Sequence, residues 1–210
     1  MPGPLRLVIA DDHALFRQGL KSMLRLEPGV AVVAEVERVA DILPAIEGGA
    51  CDVLLLDLQM DRGSLAEIES LARRARVVVV TASERPGEAL AALRAGARAV
   101  VFKRFALETL MEALRAVTAG HVWMPPSLQA ELAARPGGPA VDLTAREREI
   151  VRRVALGRRN AEIAQELSIG EVTVKTHLNK VFQKLEVRDR VELTLYAIRV
   201  GLIAVGDKAG

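Results

Sequence analysis

The chain has 210 residues, half of them hydrophobic, a formal charge of +2 and one cysteine, Cys51. A sizeable core can be buried, whereas a disulfide framework and a cysteine-rich zinc site are excluded. His13, His121 and His177 lack ligand spacing, no apolar run reaches the ~20 residues that span a bilayer, and the N-terminal MPGPLRLVIADD lacks a secretory layout, so a soluble, cytoplasmic protein is expected.

In chain order, Leu5–Ala10, Val30–Ala34, Val53–Leu56, Val77–Val80 and Ala99–Phe102 are short apolar runs, mostly rich in β-branched residues. They are too short for buried helices and predict strands. Between them, Leu15–Leu26, Val39–Gly48, Ser64–Arg74, Gly87–Ala95 and Leu107–Ala119 carry helical spacing. Near-continuous apolarity marks strands covered on both faces, and strict alternation with helices predicts an α/β doubly wound, (βα)5 parallel sheet. Pro44 fits the second helix if Asp41 caps a late start and Pro44 lies in the first turn.

Residues 121–141, rich in Pro and Gly, read as a linker between a domain over 1–120 and one over 142–210, with only SLQAELAA able to form a short helix. After it everything is helical. Thr144–Glu147 is a capping box opening a helix to about Leu156, stopped by Gly157. Asn160 is the expected cap of a short helix over Ala161–Leu167, Ser168–Gly170 a tight turn, Glu171–Leu185 a third helix and Asp189–Val200 a fourth, ended by Gly201. This is a small all-α four-helix unit whose second and third helices form a helix-turn-helix.

The charge is unevenly spread. Residues 1–118 hold fifteen Lys and Arg against sixteen Asp and Glu, the remainder fourteen against eleven. Within 175–199, Lys175, Lys180, Lys184, Arg188, Arg190 and Arg199 face only Glu186, Asp189 and Glu192. A mildly basic, compact C-terminal unit suits a polyanion; an ordinary solvated helix surface is the alternative. The polar face of Glu171–Leu185 carries Thr173, Lys175, Thr176, Asn179 and Lys180, donors of a length and type that reach base edges and phosphates, although so polar a face on so short a unit also suits a protein-docking module.

The first half holds an acidic constellation. Asp11 and Asp12 follow the first strand, Asp57 closes the third, Thr81 ends the fourth and Lys103 follows the fifth. In a doubly wound sheet the C-terminal strand ends form one crevice, where these residues converge. Three carboxylates make a hard-oxygen site suited to Mg2+, one of them can attack a phosphoryl group, and a lysine and a hydroxyl can hold the phosphoryl oxygens. Singly, each has a plainer explanation as a helix cap, a turn hydroxyl or a solvated charge. Asp52 precedes its strand, at the other end of the sheet, and Asp61 lies just beyond the crevice.

The runs ADDHALFRQGL, DVLLLDLQM, VVVVTAS and GARAVVFK resemble the receiver domain of bacterial response regulators across residues 5–118. The resemblance implies that Asp57 is the phosphoacceptor. Asp11, Asp12, Asp57 and the backbone carbonyl of Gln59 would hold Mg2+, and Thr81 and Lys103 would sense the phosphoryl group. It also makes Gln59 and Ser83 positions that tune hydrolysis, beside the small Ala82. Three features depart from the family: Asp61 stands where Pro is usual, the segment from there to Thr81 is shorter by about one helical turn, and the usual aromatic of the fifth strand is Val100. Neither Phe102 nor Phe105 takes its place.

LTAREREIVRRVALGRRNAEIAQELSIGEVTVKTHLNKVFQKLEVRDRVEL, in turn, resembles the LuxR-type DNA-binding domain. That resemblance implies Lys175, Thr176 and Asn179 facing bases, and Thr173, Lys180, Lys184 and Arg188, with Arg158 or Arg159, facing phosphates. His177 would serve packing and capping. Gly170 and Val172 stand where Ser and Gly are common, and the last helix, with Val191, Leu195, Tyr196 and Ile198, resembles the family's dimer surface, with burial within one domain the alternative and expected for at least part of it. Receiver plus LuxR-type domain is the NarL/FixJ arrangement. It implies a transcription factor, active as a homodimer on DNA, switched when a sensor histidine kinase phosphorylates Asp57 and not itself an enzyme on outside substrates. The alternative is a LuxR-type regulator independent of phosphorylation. A haloacid-dehalogenase-like phosphatase is disfavoured because Gln59 stands where its second acid is needed, and a small-molecule sensor because the chain is only 3% aromatic.

Overall fold

The computed structural model describes residues 3–61, 63–104, 107–134 and 142–203. The chain forms two compact units, Met1–Val117 and Thr118–Gly210. Phe105 and the 135–141 part of the expected linker lie outside the described residues.

The first unit alternates β1 (Leu5–Ala10), α1 (Ala14–Leu24), β2 (Val30–Val36), α2 (Ile42–Gly49), β3 (Val53–Leu56), α3 (Ile68–Leu71), β4 (Arg76–Thr81), α4 (Pro86–Arg94), β5 (Ala99–Phe102) and α5 (Leu107–Thr118). All strand pairs are parallel, in the order β2-β1-β3-β4-β5. Every residue of β3 is buried, as is all of β4 after Arg76, which is what helices on both faces require. The order reverses between β1 and β3, so the crevice of the fold opens at their C-terminal ends.

Local deviations have local causes. The third helix was expected over Ser64–Arg74, but the chain makes a 3-10 turn, Leu65–Glu67, and a single α-turn, α3. Gly63, in the left-handed region at φ +72°, and the buried Ser64 start the segment as a turn, and after Leu71 the chain closes in turns, the Arg74 and Ala75 N–H groups both donating to the Leu71 carbonyl (2.9 and 3.0 Å). α2 does start late, after a 3-10 turn over Val39–Asp41, with Pro44 in its first turn where a missing N–H costs little. Asp41 stands at the cap position but accepts no backbone hydrogen there; its carboxylate takes the Arg38 guanidinium instead (2.9 Å).

In the second unit, α6 (Pro126–Ala134) precedes α7 (Ala145–Ala155), α8 (Asn160–Glu166), α9 (Glu171–Leu185) and α10 (Arg190–Arg199). The four expected helices are α7–α10. Treating 121–141 as a plain linker misses that Met124, Leu128 and Leu132 are buried, and that α6 packs against α10. Apolar residues at i, i+4 and i+8 gain more by covering a neighbouring helix than the proline-rich composition suggests. α10 consequently lies between α6 and α7, and Val191, Leu195, Tyr196 and Ile198, expected at a dimer surface, are buried within the single chain. The expected cap of α8 also shifts. Arg159 occupies the cap position, its N–H donating to Glu162 Oε2, while Asn160 Oδ1 accepts from Arg190 Nη1 (3.1 Å).

The capping box of α7 is present. Thr144 Oγ1 accepts from the Glu147 N–H (3.2 Å), and Glu147 Oε2 accepts from the Thr144 N–H (2.9 Å). Glu147, only 4% exposed, also takes the Lys184 ammonium at 2.7 Å, clamping the start of α7 to the end of α9. The Lys184 hydrogen bond, followed by that of Thr144, holds the Glu147 carboxyl below its ordinary value. A carboxyl with a lowered folded pKa stabilises the fold above its unfolded pKa, and that share is lost as pH falls through the folded pKa. Glu147→Gln is therefore expected to lower the stability of this unit at pH 7 by about 1–2 kcal/mol. The gap should close in urea titrations repeated below about pH 4.

Candidate functional site

The crevice is assembled by strand register. Ala10 of β1 lies opposite Leu56 of β3, so the next residues, Asp11 and Asp57, emerge side by side, with the Asp57 N–H donating to the Ala10 carbonyl (2.9 Å). Thr81 of β4 pairs with Phe102 of β5, and the Lys103 N–H donates to the Thr81 carbonyl (2.7 Å). From there the Lys103 ammonium lies 2.8 Å from both Asp57 Oδ2 and Asp11 Oδ2, and 4.6 Å from the centre of the Phe16 ring. Asp57 is 1% exposed, and Asp11 and Thr81 are likewise buried. Asp12 is partly exposed and pairs with His13 (2.9 Å). Ligand atoms of Asp11, Asp12, His13 and Asp57 lie within 4.8 Å of one another.

Backbone donors orient the acids. Asp11 Oδ1 accepts from the His13 N–H (2.8 Å) and Asp57 Oδ1 from the Gln59 N–H (3.1 Å). Each is a carboxylate bonded to the backbone two residues on, which fixes its rotamer. Thr81 Oγ1 accepts from the Ser83 N–H in the same way (3.1 Å). Gln59 and Ala82 are exposed at the mouth of the crevice. Asp52 takes no part: it is bound at the opposite end of the sheet by the Arg6 guanidinium and N–H, which hold its carboxyl below its ordinary value. Asp61 accepts from the Val39 N–H (3.2 Å), tying the loop after β3 to the turn before α2.

Two supporting residues escaped the sequence analysis. Arg17 is buried, donating to the Asp11 carbonyl and to Glu37. Its signal was present, because Arg17 shares the buried stripe of α1 with Leu20 and Leu24. Ser64 is fully buried and its hydroxyl donates to the Asp57 carbonyl. No sequence pattern marks it, because the contact depends on how the 57–64 loop closes. Ser64→Ala leaves that carbonyl without its donor, and the urea midpoint of the first unit is expected to fall by the equivalent of about 1–3 kcal/mol.

On α9, Val174, Leu178 and Val181 are buried in the core of the second unit, while Thr173, Lys175, Thr176, Asn179 and Lys180 lie exposed on the outer face. Arg188 is exposed as well, and His177 is half-buried. Lys175 pairs with Glu171 (3.0 Å), and the Thr176 hydroxyl donates to the Val172 carbonyl (3.0 Å). Lys184 is exposed too, with its ammonium 2.7 Å from Glu147. Arg158 pairs with Glu166, and Arg159 Nε donates to the Ala119 carbonyl.

Residues 7–115 match the family described as response regulator receiver domain, and residues 141–197 that described as bacterial regulatory proteins, luxR family. The chain is 34% identical over 212 residues to the probable transcriptional regulatory protein NarL of Mycobacterium tuberculosis, covering 96% of this chain and 97% of that one. It is 33% identical over 201 residues to the nitrate/nitrite response regulator protein NarP of Escherichia coli, covering 91% and 94%. A solved structure of two RcsB dimers bound to two parallel DNAs superposes with a TM-score of 0.57 at 26% identity, covering 94% and 100%.

The chain belongs to the response regulators that join a receiver to a LuxR-type DNA-binding domain.

Its receiver departs from the family's usual form inside the core. Val100 is fully buried on β5 opposite Val79, so the position that usually carries a movable aromatic is filled by a short branched side chain. Phe102, half-buried, is the residue that pairs with Thr81. Among the described residues no helix is long and apolar enough to cross a membrane.

Proposed function

We propose that this response regulator is switched by phosphoryl transfer from a sensor histidine kinase to Asp57, and that the phosphorylated protein dimerises and binds operator DNA through α9. The observation that carries the reading is the Asp57 carboxylate, buried at the β1/β3 switch point and held between Lys103 and the Gln59 N–H with Asp11 and Asp12 alongside. Asp57 Oδ2 is the nucleophile: it bonds to phosphorus as the bond to the kinase imidazole breaks. Lys103 follows the new charge from the carboxylate to a phosphoryl oxygen, and the Thr81 hydroxyl is positioned to donate to another.

The hard oxygens of Asp11, Asp12 and Asp57 suit Mg2+, with the Gln59 carbonyl as a further ligand. When bound, the ion neutralises phosphoryl charge. His13 sits among these acids as a half-exposed nitrogen, outside that ligand set. Gln59 offers no acid for turnover on an outside ester, which supports a role confined to the protein's own phosphorylation and dephosphorylation. Thr173, Lys175, Thr176, Asn179, Lys180, Lys184 and Arg188 are the proposed DNA contacts, Lys184 being paired with Glu147 as well. A protein of this kind works in the cytoplasm, where kinase domain and chromosome meet it.

The test is light scattering together with selection from a random duplex library, with and without beryllofluoride and Mg2+. A monomer that becomes a DNA-binding dimer supports the switch. Equal mass and equal DNA affinity in both conditions would favour the reading that Val100 suggests, a receiver that acts without phosphorylation.

A further inference from the structure

One side chain on α9 has no part in the interface described above. Val172, in the first turn, is 76% exposed, and among the described residues of the second unit it is the large apolar side chain left in solvent. The other valines of the helix, Val174 and Val181, are buried in the core. Covering its isopropyl group with a partner would remove apolar surface from water, which is favourable. The leading turn of a recognition helix is the part that approaches base edges in the major groove.

The neighbours of Val172 narrow what it meets there. Lys175, paired with Glu171 at 3.0 Å, stays exposed on the same turn. Thr176, one turn further on the same stripe, donates its hydroxyl to the Val172 carbonyl (3.0 Å), which leaves its methyl group and its oxygen lone pairs facing outward. Val172 and Thr176 thus bring methyl groups to this stripe, beside the exposed donors Thr173 and Lys175. In the major groove the one apolar group on a base edge is the C5 methyl of thymine.

Building on the DNA-binding reading of α9, we infer that Val172 reads the C5 methyl of a thymine in each operator half-site and is a specificity-determining residue. The test uses the full chain with beryllofluoride and Mg2+. Operators are selected from a random duplex library, and each thymine of the selected half-site is replaced in turn by deoxyuridine, which lacks only that methyl. At one thymine the replacement is expected to weaken wild-type binding about fourfold per half-site, the effect of one buried methyl. Val172→Ala should bind the thymine and deoxyuridine duplexes alike. It should melt no lower than wild type, since alanine is the better helix former at an exposed site. The inference is overturned if no deoxyuridine duplex binds more weakly, or if the penalty persists undiminished in Val172→Ala. Failure of the wild type to enrich any sequence is a different result: it removes the DNA-binding reading, and this inference with it.

Discussion

Asp57→Ala is expected to abolish the response to beryllofluoride while leaving the receiver folded. Beryllofluoride, like a phosphoryl group, must bond to a carboxylate oxygen, and alanine supplies none. No neighbour takes over, because Asp11 is already engaged by the His13 N–H and Lys103, and Asp12 by His13. In wild type, dimerisation turns two weak DNA contacts into one bivalent contact, so the gain in operator affinity should be on the order of 100-fold. In Asp57→Ala the gain should be absent, with the mass remaining that of the untreated protein. Stability should not fall, because the substitution removes one of three crowded carboxylates while Lys103 keeps its 2.8 Å partner in Asp11. Light scattering and a thermal melt check the two halves. A beryllofluoride response in Asp57→Ala equal to wild type would refute the assignment of the phosphoacceptor.

The second large effect lies far from the crevice. Gly157 ends α7 at φ +86°, a conformation that L side chains adopt at a cost of about 1 kcal/mol. A Cβ there would also lie 2.3 Å from the His121 ring, well inside contact distance. Gly157→Ala should therefore destabilise the second unit by about 2–4 kcal/mol, combining backbone strain with displacement of a packed ring. Adding His121→Ala removes the clash but not the strain, so the double variant should recover part of the loss in a double-mutant cycle. The half-buried imidazole of His121 is held below its ordinary pKa, by burial first and then by Arg190, Arg158 and Arg159, with Glu162 opposing. The folded state thus favours neutral His121. Its contribution is complete above about pH 6.5 and is lost as pH falls through the lowered folded value. The same melts repeated between pH 7 and 5 should show wild type losing stability and His121→Ala losing less.

The elements of the receiver were legible because their determinants are local. VLLL and VVVV cannot be amphipathic helices of useful length, and five such runs alternating with helical periods leave few topologies. The acidic site was legible for a related reason. Strand ends are visible in sequence, and a parallel sheet brings all its C-terminal ends to one edge, so Asp11, Asp57, Thr81 and Lys103 could be placed together across some ninety residues. The capping box at Thr144 and the stop at Gly157 are likewise written in short patterns.

What escaped depends on which charged partner reaches each group in the folded chain. The roles of Asp41 and Asn160 turned on Arg38 and Arg190, guanidinium groups that compete for oxygens otherwise free to cap a helix. The pairing of Lys184 with Glu147, 37 residues earlier, at 2.7 Å is written in no local pattern. Burial of α6 and of the expected dimer face of α10 follows from their packing against each other, which neither segment's composition reveals. Sequence alone thus determined the two domain types, the parallel sheet and the acidic crevice, since periodicity, strand ends and caps act within a few residues. Tertiary structure alone decided which charges are free to meet a ligand, since an ion pair depends on which distant atoms the fold brings within about 3 Å.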